Sequence, residues 1–80
     1  MNEIYLEIAK EVERAIQLYE PFHSLHEGYA VLKEEVDELW DQVKVKQGSR
    51  WPGAVKDECI QIAAMAVRII IDCGKVDYQK

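Results

Sequence analysis

Glycine and proline are scarce in this chain of 80 residues, which has four glycines and two prolines. A protein built of many β-strands needs more turn residues than these, so that class is excluded. Basic residues are also few: ten Lys and Arg stand against fifteen Asp and Glu, for a formal net charge of −5. Because phosphate backbones and anionic membranes attract cations, we expect neither a nucleic-acid polymer nor a membrane as the main partner.

Cysteines and long apolar runs are scarce as well. Cys59 and Cys73 form no metal or redox motif, and on one helix they would lie about 21 Å apart, too far for a disulfide. The longest apolar segment, 59–71, is interrupted by Gln61 and Arg68 and falls short of the ~18 residues of a membrane span. No apolar secretory signal is found at the start. We therefore expect a reduced, soluble, cytoplasmic protein.

Hydrophobic residues make up 49% of the chain, which is high for a mass of 9.3 kDa. We expect one domain over residues 1–80, since so short a chain has no room for two cores. A lone domain of this size buries only roughly 60% of its unfolded surface. The excess of apolar residues therefore predicts a homo-oligomer, a dimer or a tetramer, in which further copies complete the core.

Two breaks, at Pro21 and at 47–53, divide the chain into three segments that predict helices. These segments run from about 3 to 20, from about 25 to 46 and from about 54 to 73. The fold predicted is all-α, a bundle of three main helices per chain that oligomerisation completes.

The second and third segments carry the more specific signals. Ser24 and Glu27 match a capping box at the start of the second helix. Its apolar residues then step by four and three, as in a coiled-coil seam: Leu25, Tyr29, Leu32, Val36, Leu39 and Val43. The third helix is apolar nearly all round, which predicts a central position in the bundle. Its polar line consists of Glu58, Gln61, Arg68 and Asp72.

Acidic residues fall on facing parts of the second and third helices. Glu34, Glu35 and Glu38 lie on one side of the second helix, and Glu58 lies on the otherwise apolar third helix. Such carboxylates repel one another unless a cation neutralises them, and Mg²⁺ prefers oxygen ligands. Acidic runs are common on solvated helix faces, but a buried Glu58 without a partner would be costly. The pattern therefore predicts a cation site between two helices.

The arrangement Glu34-Glu35-x-x-Glu38, a gap of nineteen residues, then Glu58-x-x-Gln61 resembles a family signature. It is similar to that of the MazG-like all-α nucleoside-triphosphate pyrophosphohydrolases, which reads Glu-Glu-x-x-Glu, a variable gap, then Glu-x-x-Asp. The resemblance covers roughly residues 20–73. It implies hydrolysis of a nucleoside or deoxynucleoside triphosphate to the monophosphate and pyrophosphate with bound Mg²⁺, or Mn²⁺, as in clearing of the nucleotide pool.

Carried over by position, the resemblance makes Glu34, Glu35, Glu38 and Glu58 the metal ligands and catalytic residues. One of them would act as the base for the attacking water. Gln61 stands where the family has Asp, and its amide oxygen can coordinate a metal but brings no charge.

Four further residues are candidates for binding the substrate. Lys33, Lys56 and Arg68 could contact phosphate oxygens, and Trp51 could stack on a base. For Arg68 the alternative is an ion pair with Asp72 or with a partner chain. For the whole chain the alternative is a non-catalytic helical module for self-association or protein interaction, in which the acids form an ordinary solvated face.

Overall fold

The computed structural model describes residues 1–74, apart from the side chain of Gln47. Three helices form: α1 (Asn2–Leu18), α2 (Leu25–Lys44) and α3 (Ala54–Cys73), with a short 3₁₀ turn, Gln47–Ser49, between α2 and α3. No strand occurs in these 74 residues. The predicted all-α class is confirmed: the fold is a three-helix bundle.

The start of α2 depends on the predicted capping residues. The Ser24 hydroxyl accepts a hydrogen bond from the backbone N–H of Glu27 at 3.0 Å. The Glu27 carboxylate in turn accepts from the backbone N–H of His23 at 2.8 Å, one residue further back than in the standard capping box. These bonds satisfy backbone donors at the beginning of the helix, where no intrahelical partner exists.

The connection from α2 to α3 is also fixed by local interactions. Arg50 donates hydrogen bonds to the carbonyls of Gln42 and Val43, at 2.7 and 3.1 Å, and so caps the end of α2. Pro52 and Gly53 then form the centre of a hydrogen-bonded turn. Gly53 has a φ of +80° and a ψ of −2°, as the third residue of a type II turn requires, and glycine adopts this conformation without strain.

Helix α3 is the centre of the bundle, as predicted. Both α1 and α2 pack against it, whereas α1 and α2 do not pack against each other within residues 1–74. The core is small, and most of its buried apolar residues belong to α1 and α3: Val12, Ala15, Phe22, Ala64, Met65 and Cys73. So few buried side chains leave the single chain with a modest hydrophobic stabilisation.

The polar line of α3 faces inward, between α1 and α2. Arg68 is only 4% exposed and Asp72 is almost as deeply buried, whereas Ile70 and Ile71 are 60% and 47% exposed. The third helix is therefore central but not buried all round. Its polar side is turned to the other helices, where Arg68 and Asp72 find partners in the linker between α1 and α2.

Two of these polar residues fasten the linker between α1 and α2. Arg68 donates to the carbonyl of Glu20 at 3.1 Å, and its guanidinium lies 4.2 Å from the centre of the Phe22 ring. Asp72 accepts from the backbone N–H of Phe22 at 2.9 Å and lies 3.9 Å from the Arg68 guanidinium. The end of α1 is thus held to α3 by hydrogen bonds and a cation–π contact.

A Gly28→Ala substitution tests the packing of α2 on α3. A Cβ at position 28 would lie 2.8 Å from Cγ1 of Ile69 and 3.3 Å from the Phe22 ring. Alanine gains about 1 kcal/mol in helix propensity, but overpacking costs typically 1–3 kcal/mol. We expect the free energy of unfolding, measured by urea denaturation, to fall by about 1 kcal/mol.

Gly48→Ala is the matched control, because a Cβ at position 48 meets nothing within 4 Å. Its stability should stay within about 0.5 kcal/mol of the wild type. A Gly28→Ala chain as stable as this control would contradict the close approach of α2 to α3.

Candidate metal centre

Three of the four predicted acids converge where α2 packs on α3. Glu35, Glu38 and Glu58 each place one carboxylate oxygen within 4.8 Å of the others. Glu35 and Glu38 are three residues apart on α2 and so share a face of the helix. Because α2 and α3 run antiparallel, the C-terminal half of α2 lies against the start of α3, where Glu58 is found. We call these three residues the acid group.

The acid group lacks compensating positive charge. Burial, followed by the charges of Glu38 and Glu58, raises the pKa of Glu35 to about 7. Burial and then the charge of Glu38 also raise the pKa of Glu58. Among residues 1–74 no Lys, Arg or His forms an ion pair with any of the three. One oxygen of Glu58, Oε2, is buried there without a hydrogen-bond partner.

Two residues of the predicted motif lie outside the acid group. Glu34 is exposed on α2, since a step of one residue turns about 100° around a helix. Gln61 is half-buried one turn after Glu58 and reaches towards α1. There the pKa of Glu11 is lowered mainly by a hydrogen bond from Arg14 and to a lesser degree by one from Gln61.

A cleft of about 560 Å³ opens beside the acid group, between α1 and α2. Its lining is apolar at Ala15, Val31 and Met65, and polar at Glu35 and Gln61. The volume is in the range of small-molecule binding sites, which combine apolar walls with a few polar groups. Glu35 belongs both to the acid group and to the cleft, so the two are continuous.

The four candidate substrate-binding residues are dispersed. Lys33 and Lys56 are exposed and pair with carboxylates of their own chain at 3.1 and 3.0 Å. Trp51 is 81% exposed. Arg68 lines the cleft, but its guanidinium is occupied in holding the linker, which agrees with the ion-pair alternative. The structure thus brings one of the four to the cleft.

Two residues that the sequence analysis did not single out also line the cleft. Glu11 and Arg14 form a bidentate ion pair on α1, with distances of 2.8 and 3.0 Å. Both flank the buried residues Val12 and Ala15 along the helix, which places them at the border of the packed face. Their position at this border can be read from the sequence. It indicates a place in the cleft only when the polar line of α3 is known to face α1.

Comparisons of the chain with models of protein families, with curated proteins and with solved structures give no match. The fold and the site define the class as an all-α three-helix bundle with an acid group beside an open cleft. The resemblance to the MazG-like superfamily rests on the sequence pattern and stays a prediction. None of the helices within residues 1–74 combines the length and the apolar character needed to cross a membrane.

The raised pKa of Glu35 predicts a pH-dependent stability. An unfolded glutamate titrates near ~4.3, whereas Glu35 in the folded chain titrates near 7. Between these values the folded state binds more protons, so this residue lowers the free energy of unfolding as pH rises from about 5 to 8. Glu35→Gln should remove that loss. At pH 8 the variant should be more stable than the wild type by roughly 1–2 kcal/mol, a figure reduced for partial solvent exposure.

Urea denaturation at pH 5 and pH 8 measures this difference, with Glu34→Gln as the control on the exposed side of α2. The control should follow the wild type at both pH values. If Glu35→Gln shows the same pH dependence as the wild type, Glu35 does not carry the proton that the structure assigns to it.

Proposed function

We propose that this chain is a Mg²⁺-dependent nucleoside-triphosphate pyrophosphohydrolase. Its substrate would be a nucleoside or deoxynucleoside triphosphate, hydrolysed to the monophosphate and pyrophosphate to clear the cytoplasmic nucleotide pool. The observation that carries the proposal is the convergence of three carboxylates from two helices within 4.8 Å, at a point where the described residues supply no cation. The family resemblance of the motif agrees with this assignment.

The donor set fits a hard divalent cation. Mg²⁺ binds oxygen ligands at ~2.0–2.1 Å in an octahedron, so ligand oxygens lie about 3–4 Å apart. Oxygens within 4.8 Å of one another reach that spacing with small side-chain adjustments. The unpartnered Oε2 of Glu58 supports the fit, because a buried carboxylate oxygen without a donor is stabilised by a metal ion. Mn²⁺ would accept the same ligands.

Each part of the site has a role in the proposed reaction. A cation held by Glu35, Glu38 and Glu58 would polarise the phosphoryl group and lower the pKa of the attacking water. Glu35, which belongs to the acid group and also lines the cleft, would accept a proton from that water. The water oxygen bonds to the α-phosphorus, the bond to the bridging oxygen breaks, and pyrophosphate leaves with the electron pair.

The cleft and the surface support the remaining parts of the proposal. A cleft of about 560 Å³ next to Glu35 is large enough for the nucleoside part of the substrate. Within residues 1–74, six apolar residues form the core, whereas sixteen large apolar side chains are exposed. This imbalance favours a homo-oligomer, a dimer or a tetramer, because exposed apolar patches are typical of protein–protein contacts.

Pyrophosphate release tests the activity. With Mg²⁺ and a panel of common nucleoside triphosphates, the wild type should release pyrophosphate from at least one of them. Glu38→Gln and Glu58→Gln should each lower kcat/KM at least about 100-fold, because each removes a charged ligand that stabilises the transition state through the metal. The same variants should weaken Mg²⁺ binding in calorimetric titrations.

Glu34→Gln is the matched control, since it makes the same chemical change on the exposed side of α2. We expect kcat/KM to change less than about threefold, although the family motif assigns this position to the metal. A wild-type chain that binds no Mg²⁺ and releases no pyrophosphate, yet assembles stably, would overturn the proposal. It would instead support the non-catalytic interaction module.

A further inference from the structure

The coiled-coil seam of α2 is only partly covered by the rest of its own chain: Leu32 and Leu39 are half-buried, whereas its other residues and the neighbouring Trp40 are exposed. Tyr29, Val36 and Trp40 are 63%, 45% and 57% exposed, and Leu25 and Val43 are exposed to a similar degree. At ~100° per residue, these exposed residues are centred about 90° around α2 from the line that packs against α3. They are therefore free of the contact with α3 and available for another one.

Helix α3 has an exposed apolar line of its own. Val55 and Ile70 are 38% and 60% exposed, and Cys59 and Ala66 between them are exposed as well. These four residues fall within about 60° of one another around α3. They lie next to Ile69, which approaches Gly28 of α2, so the line borders the α2 contact.

The two exposed lines lie on the same face of the molecule. On α2 the cleft-lining residues Val31 and Glu35 lie on one side of the α3 contact, and the seam lies on the other. On α3 the cleft-lining residues Gln61 and Arg68 likewise lie on the side away from the exposed line. The seam and the α3 line therefore form one apolar surface opposite the cleft, which we call the α2–α3 face.

The size of the α2–α3 face suits a dimer. From Leu25 to Val43 it runs roughly 27 Å at ~1.5 Å per residue. Two helices packed ~8–10 Å apart, each about 10 Å wide, span about 20 Å. The flat projected area is about 540 Å², and the accessible area is larger because side chains project from this plane. For comparison, a stable interface buries about 800 Å² on each partner.

The charges along this face also suit a second copy of the same chain. Lys33 pairs with Asp37 at 3.1 Å and Lys44 pairs with Asp41 at 3.4 Å, and all four lie along the outer edge of the seam. The edge is therefore balanced in charge, although the chain as a whole carries −5. Two copies can approach here without the mutual repulsion that their net charge would cause elsewhere.

We propose that two copies of this chain pair through the α2–α3 face, with Tyr29, Val36 and Trp40 buried at the interface. The exposed apolar residues of α2 follow one side of the helix from Leu25 to Val43, and such a stripe can pack against a like helix. The cleft lies on the opposite surface of each copy and stays open. The pairing goes beyond the proposed hydrolysis and does not depend on it, because its residues are distinct from the acid group.

Sedimentation equilibrium tests the pairing. The wild type should show twice the mass of 9.3 kDa. Trp40→Glu should raise the dissociation constant at least about 100-fold, because it removes a large aromatic side chain and places a charge within an apolar interface. Leu6→Glu is the control: Leu6 is 55% exposed on α1, away from the α2–α3 face, and this variant should keep the dimer mass. Circular dichroism checks that each variant keeps its helices.

A second measurement leaves the α2–α3 face unaltered and tests the pairing even if Trp40→Glu fails to fold. The chain has two tryptophans, so Trp51→Phe leaves Trp40 as the sole reporter. In the dimer Trp40 should be shielded from acrylamide, and on dilution its emission should shift to longer wavelength as the mass falls.

Three results would each overturn the proposal. One is a wild-type chain that is monomeric at every concentration tested. Another is a dimer whose Trp40 is quenched as freely as a solvent-exposed tryptophan. The third is a folded Trp40→Glu chain that keeps the dimer mass.

Discussion

The inward-facing polar line of α3 determines how the other two helices are placed. Helices α1 and α2 flank this line and pack on α3 without packing on each other. The gap between them is the cleft, and the start of the line brings Glu58 to the acids of α2. The apolar residues on the other side of α3 are left exposed, together with the seam of α2. Cleft, acid group and apolar face thus all follow from the orientation of one helix.

The two ends of this polar line differ in how their charges are satisfied. Burying a polar group is costly unless it has hydrogen-bond or ionic partners. Arg68 and Asp72 have such partners in the linker and in each other, although Nε of Arg68 is buried without one, and this end holds α1 in place. Glu58 has acidic neighbours and an oxygen without a partner. Unsatisfied, perturbed carboxylates are more typical of functional sites than of structural ones.

Local signals in the sequence were sufficient to predict where the helices begin and end. The capping residue Ser24 and the turn at Pro52 and Gly53 act through neighbouring backbone, and the predicted ends of the helices lie within two residues of those observed. The first helix ends at Leu18 rather than 20, because Pro21 disfavours helical backbone in the residue before it. The convergence of Glu35, Glu38 and Glu58 was predictable for a related reason, since spacing along a helix fixes which residues share a face.

The orientation of the helices and the partners of long side chains could not be predicted from the spacing of residues along the sequence. Hydropathy gives little guidance on the orientation of a helix that is apolar nearly all round, so the exposure of Ile70 and Ile71 required the structure. The long side chains of Lys33 and Lys56 can reach several neighbouring groups. In the structure each forms an ion pair with a carboxylate away from the cleft. Arg68 had two candidate roles in the sequence, and its hydrogen bond to the linker could be identified only in the structure.

The cleft and the acid group draw on different residues of the same helix. Met65, with Ala15 of α1, lines the cleft between the flanking helices, whereas Glu58 lies further towards the start of α3. A change of side-chain volume at the first set reshapes the space for a guest molecule and leaves the carboxylates untouched. The size of the cleft and the arrangement of the carboxylates can therefore change independently of each other in this architecture.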